Sequence, residues 1–378
     1  MSDEDTDAEG EPTFEEADEM VLETGVEEEK LNPEVFELLE EDPEEGEDEH
    51  IILNPLTLEI IAEGISLLCK TGDGLSHAYV RLDIHDREIT DIDMLQSYIH
   101  LRYVDISKNM LRDISPLSAL THLLTLKADD NLLASAKLED MPYLQTASFN
   151  NNRIVTTEGI GHPMLEHLSL NNNRIKEIIG LDATKLAQLH TLELRGNRLV
   201  TTDGIYLPKL QKLYLAQNMI NRIEGMSRLP GLTTIHLRGN QIVNPLGFSE
   251  SQKFLQYINL RENLVSNVTE AFKLSVLPLL RALILADNPC TEQDAYRLEA
   301  LIRIPTLERL DKEEFTEEER AEAEAIAEKR RKEEEEKATL EAQILSEIEM
   351  TEQAILEAEA EAESYYEDES DQGTALTM

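Results

Sequence analysis

The sequence predicts an α/β solenoid, and three observations support this fold class. The pattern LxxLxLxxNxL recurs through the middle of the 378-residue chain at intervals of about 21 to 25 residues. An asparagine occupies the same place in nearly every copy of the pattern. Most of the formal net charge of -44 lies outside the repetitive segment, with roughly -23 in residues 1–50 and -17 in residues 312–378.

The repeated copies predict how the solenoid is built. Each LxL segment is expected to form one short parallel strand with two side chains pointing inward. One copy cannot bury its leucines alone, whereas stacked copies cover each other's apolar faces, at about 1.5 to 3 kcal/mol per large aliphatic side chain. The first apolar positions of the copies are Tyr79, Leu101, Leu123, Leu144, Leu165, Leu189, Leu210, Leu232, Leu255 and Leu280. We therefore predict a leucine-rich-repeat horseshoe of about ten repeats, with its parallel strands on the concave face.

The repeated asparagine predicts a structural ladder. Where every coil turns at the same depth, backbone N–H and C=O groups are left inside without strand partners. A stacked amide side chain offers both a donor and an acceptor to those groups. The predicted ladder consists of Asn109, Asn131, Asn152, Asn173, Asn197, Asn218, Asn240, Asn263 and Asn288. The first copy has Arg87 at this place, as an edge repeat can.

Composition and pattern divide the chain into six predicted segments. They are an acidic disordered arm (1–50), an N-terminal cap (51–78), the leucine-rich repeats (79–290), a C-terminal cap (291–315), a charged helix that could form a short coiled coil (316–363) and a disordered tail (364–378). Caps are expected because a solenoid otherwise exposes its core at both ends. Apolar residues at helical spacing predict a cap helix from Pro55 to Lys70, which Thr71 to Gly74 would end.

The two arms differ in character. The N-terminal arm has too little apolar content to offset the entropy of ordering it, so disorder is expected. The C-terminal arm is rich in Glu, Ala, Lys, Arg and Leu, which favour a long helix. Leu340, Ile344, Ile348, Thr351 and Ile355 follow one another at three or four residues, the spacing of a coiled-coil seam. Two interpretations stay open: an exposed single helix, or a helix that docks on a partner or on itself.

The concave face can be read from the side chains that alternate with the leucines of each strand. In the N-terminal half these are polar and mildly acidic: Asp83, Asp105, Ser107, Asp129, Ser148, Asn150 and Asn171. In the C-terminal half they combine positive charge with aromatic rings, a composition that favours interface hot spots: Arg195, Lys212, Tyr214, His236, Arg238, Tyr257 and Arg261. We predict a protein-docking surface there. The alternatives are a solvated face without a partner and an autoinhibitory contact with one of the acidic arms.

Several function classes are disfavoured. Cys69 and Cys290 are too few for a disulfide framework, and no CxxC, HExxH or nucleophile motif predicts a metal site, a cofactor or catalysis. The polyanionic arms repel DNA and anionic lipid, so neither nucleic acid nor membrane is an expected partner. The N-terminus has no basic and apolar leader, which favours a cytoplasmic location.

Segments across the repeats carry a resemblance to a known family. They are LLCKTGDGLSHAYV (67–80), SYIHLRYVDISKN (97–109), LTHLLTLKAD (120–129), LPKLQKLYLAQNM (207–219) and LPLLRALILADNPCT (277–291). These segments, including their non-leucine positions, resemble the radial-spoke leucine-rich-repeat proteins of motile cilia and sperm flagella. The segment from Asn288 to Asp311 also resembles the C-terminal cap of the intracellular branch of leucine-rich-repeat proteins, which includes a phosphatase-regulating subunit.

The resemblance implies a structural scaffold in the cytoskeleton of the axoneme. Its partners would be other radial-spoke proteins, including spoke-head subunits, and its role would be spoke assembly and flagellar beating. The alternative is a regulatory subunit that binds an enzyme, such as a protein phosphatase, through the concave face.

Overall fold

The structure is a computed structural model that describes residues 52–72 and 74–373, with the backbone alone for residues 354 and 356–373. The predicted acidic arm (1–50) and the end of the predicted tail (374–378) lie outside the described residues.

Within the described residues, thirteen strands form one sheet in which spatial order follows chain order. Strands β2 to β12 pair in parallel with their neighbours, as expected of a solenoid that makes one strand per coil. The strands are β1 (Ile65–Lys70), β2 (His77–Asp83), β3 (Tyr103–Asp105), β4 (Thr125–Lys127), β5 (Thr146–Ser148), β6 (His167–Ser169), β7 (Thr191–Glu193), β8 (Lys212–Tyr214), β9 (Thr234–His236), β10 (Tyr257–Asn259), β11 (Ala282–Ile284), β12 (Arg309–Leu310) and β13 (Glu313–Glu314).

The core is a continuous column of aliphatic side chains along the inner side of the sheet. In each coil from Leu101 to Leu280, the first leucine, the centre of the strand and the residue two positions later are buried together, whereas Tyr79, the predicted first apolar position of the first copy, is 47% exposed. Leu210, Leu213 and Leu215, for example, are each 0% exposed. The return segments are loops and 3-10 turns (Asp93–Ser97, Ser115–Ala119, Met226–Arg228, Phe272–Val276 and Pro289–Glu292). The leucine-rich-repeat fold predicted from the sequence is therefore confirmed.

The N-terminal cap differs from the prediction. Helix α1 covers only Leu58–Gly64, and the second half of the predicted helix is strand β1, which pairs antiparallel with β2. The last residue of the helix, Gly64, packs so closely on β2 that a Cβ there would lie 2.2 Å from the carbonyl oxygen of Asp83. Pairing with the otherwise open edge of β2 outweighs the local helical spacing of residues 65–70. The predicted helix stop at Thr71 is instead the turn of this hairpin, closed by the bond from Thr71 N–H to Ser76 O (2.9 Å).

At the other end, a short helix α2 (Val268–Ala271) lies in the return segment between β10 and β11, and helix α3 (Tyr296–Arg303) and the β12/β13 hairpin follow β11 as the C-terminal cap. Helix α4 (Glu317–Gly373) then begins at a capping box. In this box, Thr316 Oγ1 accepts from Glu319 N–H (3.2 Å), while a Glu319 carboxylate oxygen accepts from Thr316 N–H (2.8 Å). The helix runs past residue 363, where the sequence predicted a tail, because extending a formed helix adds one hydrogen bond per residue at small cost.

Candidate protein-binding surface

The predicted docking residues lie together on the concave face. In β8 the central Leu213 is buried, so its neighbours Lys212 and Tyr214 point to the opposite side of the sheet. Strands β7 to β10 repeat this arrangement side by side, and each of the three arginines follows its strand by two residues. The seven residues of this C-terminal patch are Arg195, Lys212, Tyr214, His236, Arg238, Tyr257 and Arg261.

Three aromatic rings of the patch form a ladder across adjacent strands. The Tyr214 and His236 rings stack with centroids 4.7 Å apart, and His236 and Tyr257 follow at 4.9 Å. Tyr214 and His236 are opposite each other in neighbouring strands, so the sheet sets their stacking, whereas Tyr257 lies opposite Thr234 and its tilted ring reaches His236 diagonally. His236 and Tyr257 are only 2% and 4% exposed, whereas Tyr214 stays partly exposed. Burial raises the pKa of Tyr214, with a smaller effect from the charge of Glu193.

The arginines of the patch are held by residues of the next coil. Arg238 makes a two-point contact with Glu262, with Nη2–Oε1 2.9 Å and Nε–Oε2 3.2 Å. Arg261 Nε donates to Asp287 Oδ2 at 2.7 Å. Because the guanidinium groups of Arg238 and Arg261 both lie against carboxylates, this part of the patch consists of ordered ion pairs rather than a block of positive charge.

Arg195 follows the same rule with a neutral partner. Its Nε donates to Gln217 Oε1 at 2.9 Å. Burial, with a smaller effect from the charge of Arg238, lowers the pKa of Arg195. Sequence reasoning missed the three partners Gln217, Glu262 and Asp287. The available signal was their shared position, directly before a ladder asparagine, where the backbone is left-handed with φ of 55°, 57° and 58°.

The N-terminal half of the concave face is a hydrogen-bonded network. Asp129 Oδ1 accepts from the Ser148 hydroxyl (2.6 Å) and from the Asn150 backbone N–H (2.6 Å). Burial raises the pKa of Asp129, although these two hydrogen bonds oppose the effect. The Asn150 side-chain oxygen then accepts from the Ser169 hydroxyl (2.7 Å). These polar residues therefore satisfy one another along neighbouring strands.

The network continues to a partly buried carboxylate that the sequence prediction left out. Glu193 Oε2 accepts from Asn171 Nδ2 (2.6 Å) and from the Ser169 hydroxyl (2.9 Å), and Glu193 Oε1 lies 3.3 Å from His167 Nε2. Burial, the largest single effect, raises the pKa of Glu193, but the bonds and the charge of His167 together bring it below its ordinary value. Its strand position, equivalent to that of Tyr214, was the signal that could have found it.

The remaining predicted residues of this half lie nearer the N-terminal cap. Asp83 Oδ1 lies 2.5 Å from His85 Nδ1, a contact that lowers the pKa of Asp83 and raises the pKa of His85. Asp105 Oδ1 accepts from the backbone N–H of Ser107 (3.1 Å). Ser107 Oγ in turn accepts from the Asp129 backbone N–H (3.3 Å), so Asp105 and Ser107 join the network around Asp129, whereas the contact between Asp83 and His85 stays local.

The nine ladder asparagines are buried and join each coil to the one before it. Each is 3% to 7% exposed. In the coil of Asn173, Oδ1 accepts from Ile154 N–H of the preceding coil (3.0 Å), and Nδ2 donates to Leu170 O of its own coil (3.0 Å) and to Phe149 O of the preceding one (2.9 Å). The other eight repeat these contacts. Each amide thus ties its own coil to the one before it.

The predicted helix seam lies on the outer part of α4. Leu340, Ile344, Ile348 and Ile355 are between 47% and 57% exposed, and no residue of the described chain covers them. The first turns of α4 are held differently. There Arg297 of α3 donates to Glu319 (Nε–Oε1 2.5 Å) and its guanidinium carbon lies 4.4 Å from the centre of the Phe315 ring.

Two further classes of site would need particular features in the part of the chain that the structure describes. It holds no group of three or more His, Cys, Asp or Glu side chains arranged for a metal ion. None of its helices is long and apolar enough to cross a membrane.

Comparison with known proteins gives the following relatives. The leucine-rich repeat family matches residues 190–339. Leucine-rich repeat-containing protein 23 of Homo sapiens is 54% identical over 281 residues, which cover 74% of this chain and 82% of the relative. The Xenopus tropicalis protein of that name is 51% identical over 281 residues, covering 74% of this chain and 80% of its own. Cilia- and flagella-associated protein 410 of Homo sapiens is 40% identical over 93 residues, covering 24% of this chain and 36% of its own.

Proposed function

Because the chain belongs to the leucine-rich repeat-containing protein 23 family, we propose that it is a non-enzymatic scaffold of the ciliary and flagellar axoneme. In this role it holds radial-spoke proteins, including spoke-head subunits, and contributes to spoke assembly and flagellar beating. Its resemblance to radial-spoke leucine-rich-repeat proteins supports the proposal. The partial likeness to a cilia- and flagella-associated protein points in the same direction.

One observation carries the scaffold part of the proposal, namely the fixed arrangement of side chains on the concave face. The Arg238 and Arg261 guanidinium groups are oriented by carboxylates of the next coil, and Tyr214 is stacked on His236. Side chains that are already ordered lose little conformational entropy when a partner binds. A repeat surface prepared in this way suits a partner that must be held in one orientation.

The same geometry describes how a partner would be recognised. Arg195, Lys212, Tyr214, Arg238 and Arg261 keep partly exposed side chains, whereas His236 and Tyr257 support them from within. Guanidinium groups present planar N–H donors that match the backbone carbonyls and carboxylates of a protein partner. Since Arg238 and Arg261 are already paired with carboxylates, hydrogen bonding and packing contribute more to such an interface than long-range charge attraction.

The proposal is tested on isolated axonemes. Quantitative proteomics before and after high-salt extraction, combined with proximity labelling from this protein, shows whether it stays behind and which proteins are its neighbours. We expect retention, with spoke-head proteins as the most strongly labelled neighbours. Release into the soluble fraction together with a phosphatase or kinase would overturn the structural role and favour the regulatory-subunit alternative.

A second experiment asks whether the C-terminal patch is the surface used. Reversing two charges (Arg238→Glu with Arg261→Glu) is expected to abolish recovery of spoke partners in a pull-down. The matched control reverses two exposed charges away from the concave strands (Arg222→Glu with Lys253→Glu) and should leave recovery unchanged.

The charge reversals also place glutamates next to Glu262 and Asp287, so a second variant separates folding from recognition. Exchanging the members of one pair (Arg238→Glu with Glu262→Arg) restores the ion pair in the opposite direction. This variant should fold normally and still lose the partner. Unchanged recovery with either patch variant would remove the patch from the proposal.

A further inference from the structure

Helix α4 is attached to the C-terminal cap at two points on one of its faces. Near its start, Arg297 of α3 donates to Glu319 (Nε–Oε1 2.5 Å). Further along, Arg330 of α4 makes a two-point contact with Glu299 of α3, with Nη2–Oε1 2.5 Å and Nη1–Oε2 2.9 Å. Glu319 and Arg330 are about three helical turns apart, or about 16 Å, so both contacts lie on the same side of α4.

Apolar packing completes the attachment. Ala323, between the two contact points, is 3% exposed, and Ile326 of the next turn is half-buried. Just before α4, the centre of the Phe315 ring lies 4.4 Å from the guanidinium carbon of Arg297 and 5.7 Å from that of Arg320. A helix held by one contact can swivel around it, whereas two contacts with packing between them fix one direction.

Beyond Arg330 the helix continues without support from the rest of the described chain. Every side chain from 331 to 353 is exposed. A helix without a packed face persists only if its own sequence favours it. The sequence from 317 to 372 contains neither glycine nor proline and is rich in the good helix formers Glu, Ala and Lys. Because the first turns are docked on the cap, the exposed part extends a helix that is already nucleated.

The charges of the exposed part are placed to stabilise the helix itself. Three ion pairs join residues four positions apart, the spacing at which side chains are neighbours on a helix surface. They are Glu328–Lys332 (2.8 Å), Lys329–Glu333 (3.8 Å) and Lys337–Glu341 (3.9 Å). Charges of alternating sign along a helix are typical of a solvent-exposed helix that is stabilised by its own ion pairs.

We infer that α4 is a rigid spacer: the cap fixes its direction, and its exposed part stays helical without a partner. From Arg330 to Gln353 a straight helix extends by about 35 Å. The spacer therefore holds its outer part at one distance and in one direction from the last coil. A partner on the concave face and a second protein on the outer helix would be kept at a fixed separation. The inference does not depend on the axonemal role.

Distances between pairs of spin labels on the full chain test whether the exposed part is a continuous helix. Cys69→Ser removes the half-buried cysteine, and Cys290 is 0% exposed, so it stays unlabelled. Labels at Glu324→Cys and Glu349→Cys should give a narrow distribution centred at about 38 Å, the length of a straight helix between them. A broad distribution centred at a shorter distance would overturn the inference.

The fixed direction is tested with labels at Glu349→Cys and Ser275→Cys, an exposed position in the return segment before β11. The native chain should give one narrow distribution. Arg330→Ala should at least double its width, because one of the two contact points is lost. Arg331→Ala is the matched control, since Arg331 is exposed beside Arg330, and it should leave the width unchanged.

A second variant separates loss of the contact from damage to the fold. Glu299→Gln removes the same ion pair from the other side with little change in shape, and it should broaden the distribution as Arg330→Ala does. A broad distribution in the native chain, an unchanged width in both variants, or equal broadening by Arg331→Ala would each overturn the fixed direction.

Discussion

Replacing one ladder asparagine tests whether the amide column holds the coils together. The substitution Asn173→Ala removes an acceptor from Ile154 N–H (3.0 Å) and donors to Phe149 O and Leu170 O. Each of those carbonyls keeps a second amide partner, Asn152 and Asn197 respectively, so the unpaired group is the N–H of Ile154.

The loss of stability follows from these missing hydrogen bonds. A buried N–H without a partner costs about 1 to 3 kcal/mol, and each lost hydrogen bond adds about 0.5 to 1.5 kcal/mol. We therefore expect Asn173→Ala to lower the free energy of unfolding by about 3 kcal/mol. The loss should be local, because each coil contacts only its neighbours.

The assay is hydrogen exchange of the folded protein together with urea denaturation. Protection should fall at Ile154 and in the two coils that Asn173 joins, while the coils near Leu280 stay protected. The control is Asn221→Ala, at an exposed asparagine, which should change stability by less than about 0.5 kcal/mol. A loss for Asn173→Ala no larger than that of the control would refute the ladder's structural role.

Three further predictions concern glycine and pH. Gly204→Ala should lower the Tm far more than Gly180→Ala. Both glycines have positive φ (96° and 78°), but of these two only Gly204 is so close to the backbone that an added Cβ would lie 2.3 Å from Ile178 O. Equal decreases in Tm would contradict this. Burial lowers the pKa of His162 below 6.5, so the unfolded state takes up the proton first and stability should fall as pH drops below about 6.5. His162→Gln should show a shallower fall, and an unchanged slope would exclude this histidine as the cause. The hydrogen bond from Arg297 lowers the pKa of Glu319 to about 2, so exchange protection of the first turns of α4 should be lost as pH falls from 4.5 towards 2, but not in Glu319→Gln.

The repeat part of the fold could be predicted because its causes are periodic. Leucine and asparagine at fixed phase require one strand and one amide contact per coil, and the structure has both along the whole column. The prediction was wrong where the periodicity stops. Residues 65–70 have helical apolar spacing, yet they form a strand, because the open edge of β2 is available only in the folded chain.

The candidate surface shows the same limit. The phase of each strand located Arg238 and Arg261 on the concave face, since alternation in a strand is a local property. It did not reveal that Glu262 and Asp287 meet them, because those contacts depend on how one coil is displaced against the next. Nor did it reveal that His236 is covered by two tyrosine rings.

The direction of the amide contacts has a consequence for how the chain is made. The N–H of Ile154 has its acceptor only after Asn173, 19 residues later, is in place. The equivalent N–H of every inner coil depends in the same way on the asparagine of the next coil. During synthesis from the N-terminus, the newest coil is therefore always incomplete, and folding advances one coil behind elongation. The C-terminal cap completes the last coil with a different contact, because Asp311 Oδ1 accepts from Leu285 N–H (2.6 Å) and Ala286 N–H (2.7 Å), which lie at another place in the repeat than the Ile154 N–H. The C-terminal cap is thus the step that closes the last coil, and a ribosome that stalls before it leaves a solenoid with an open end.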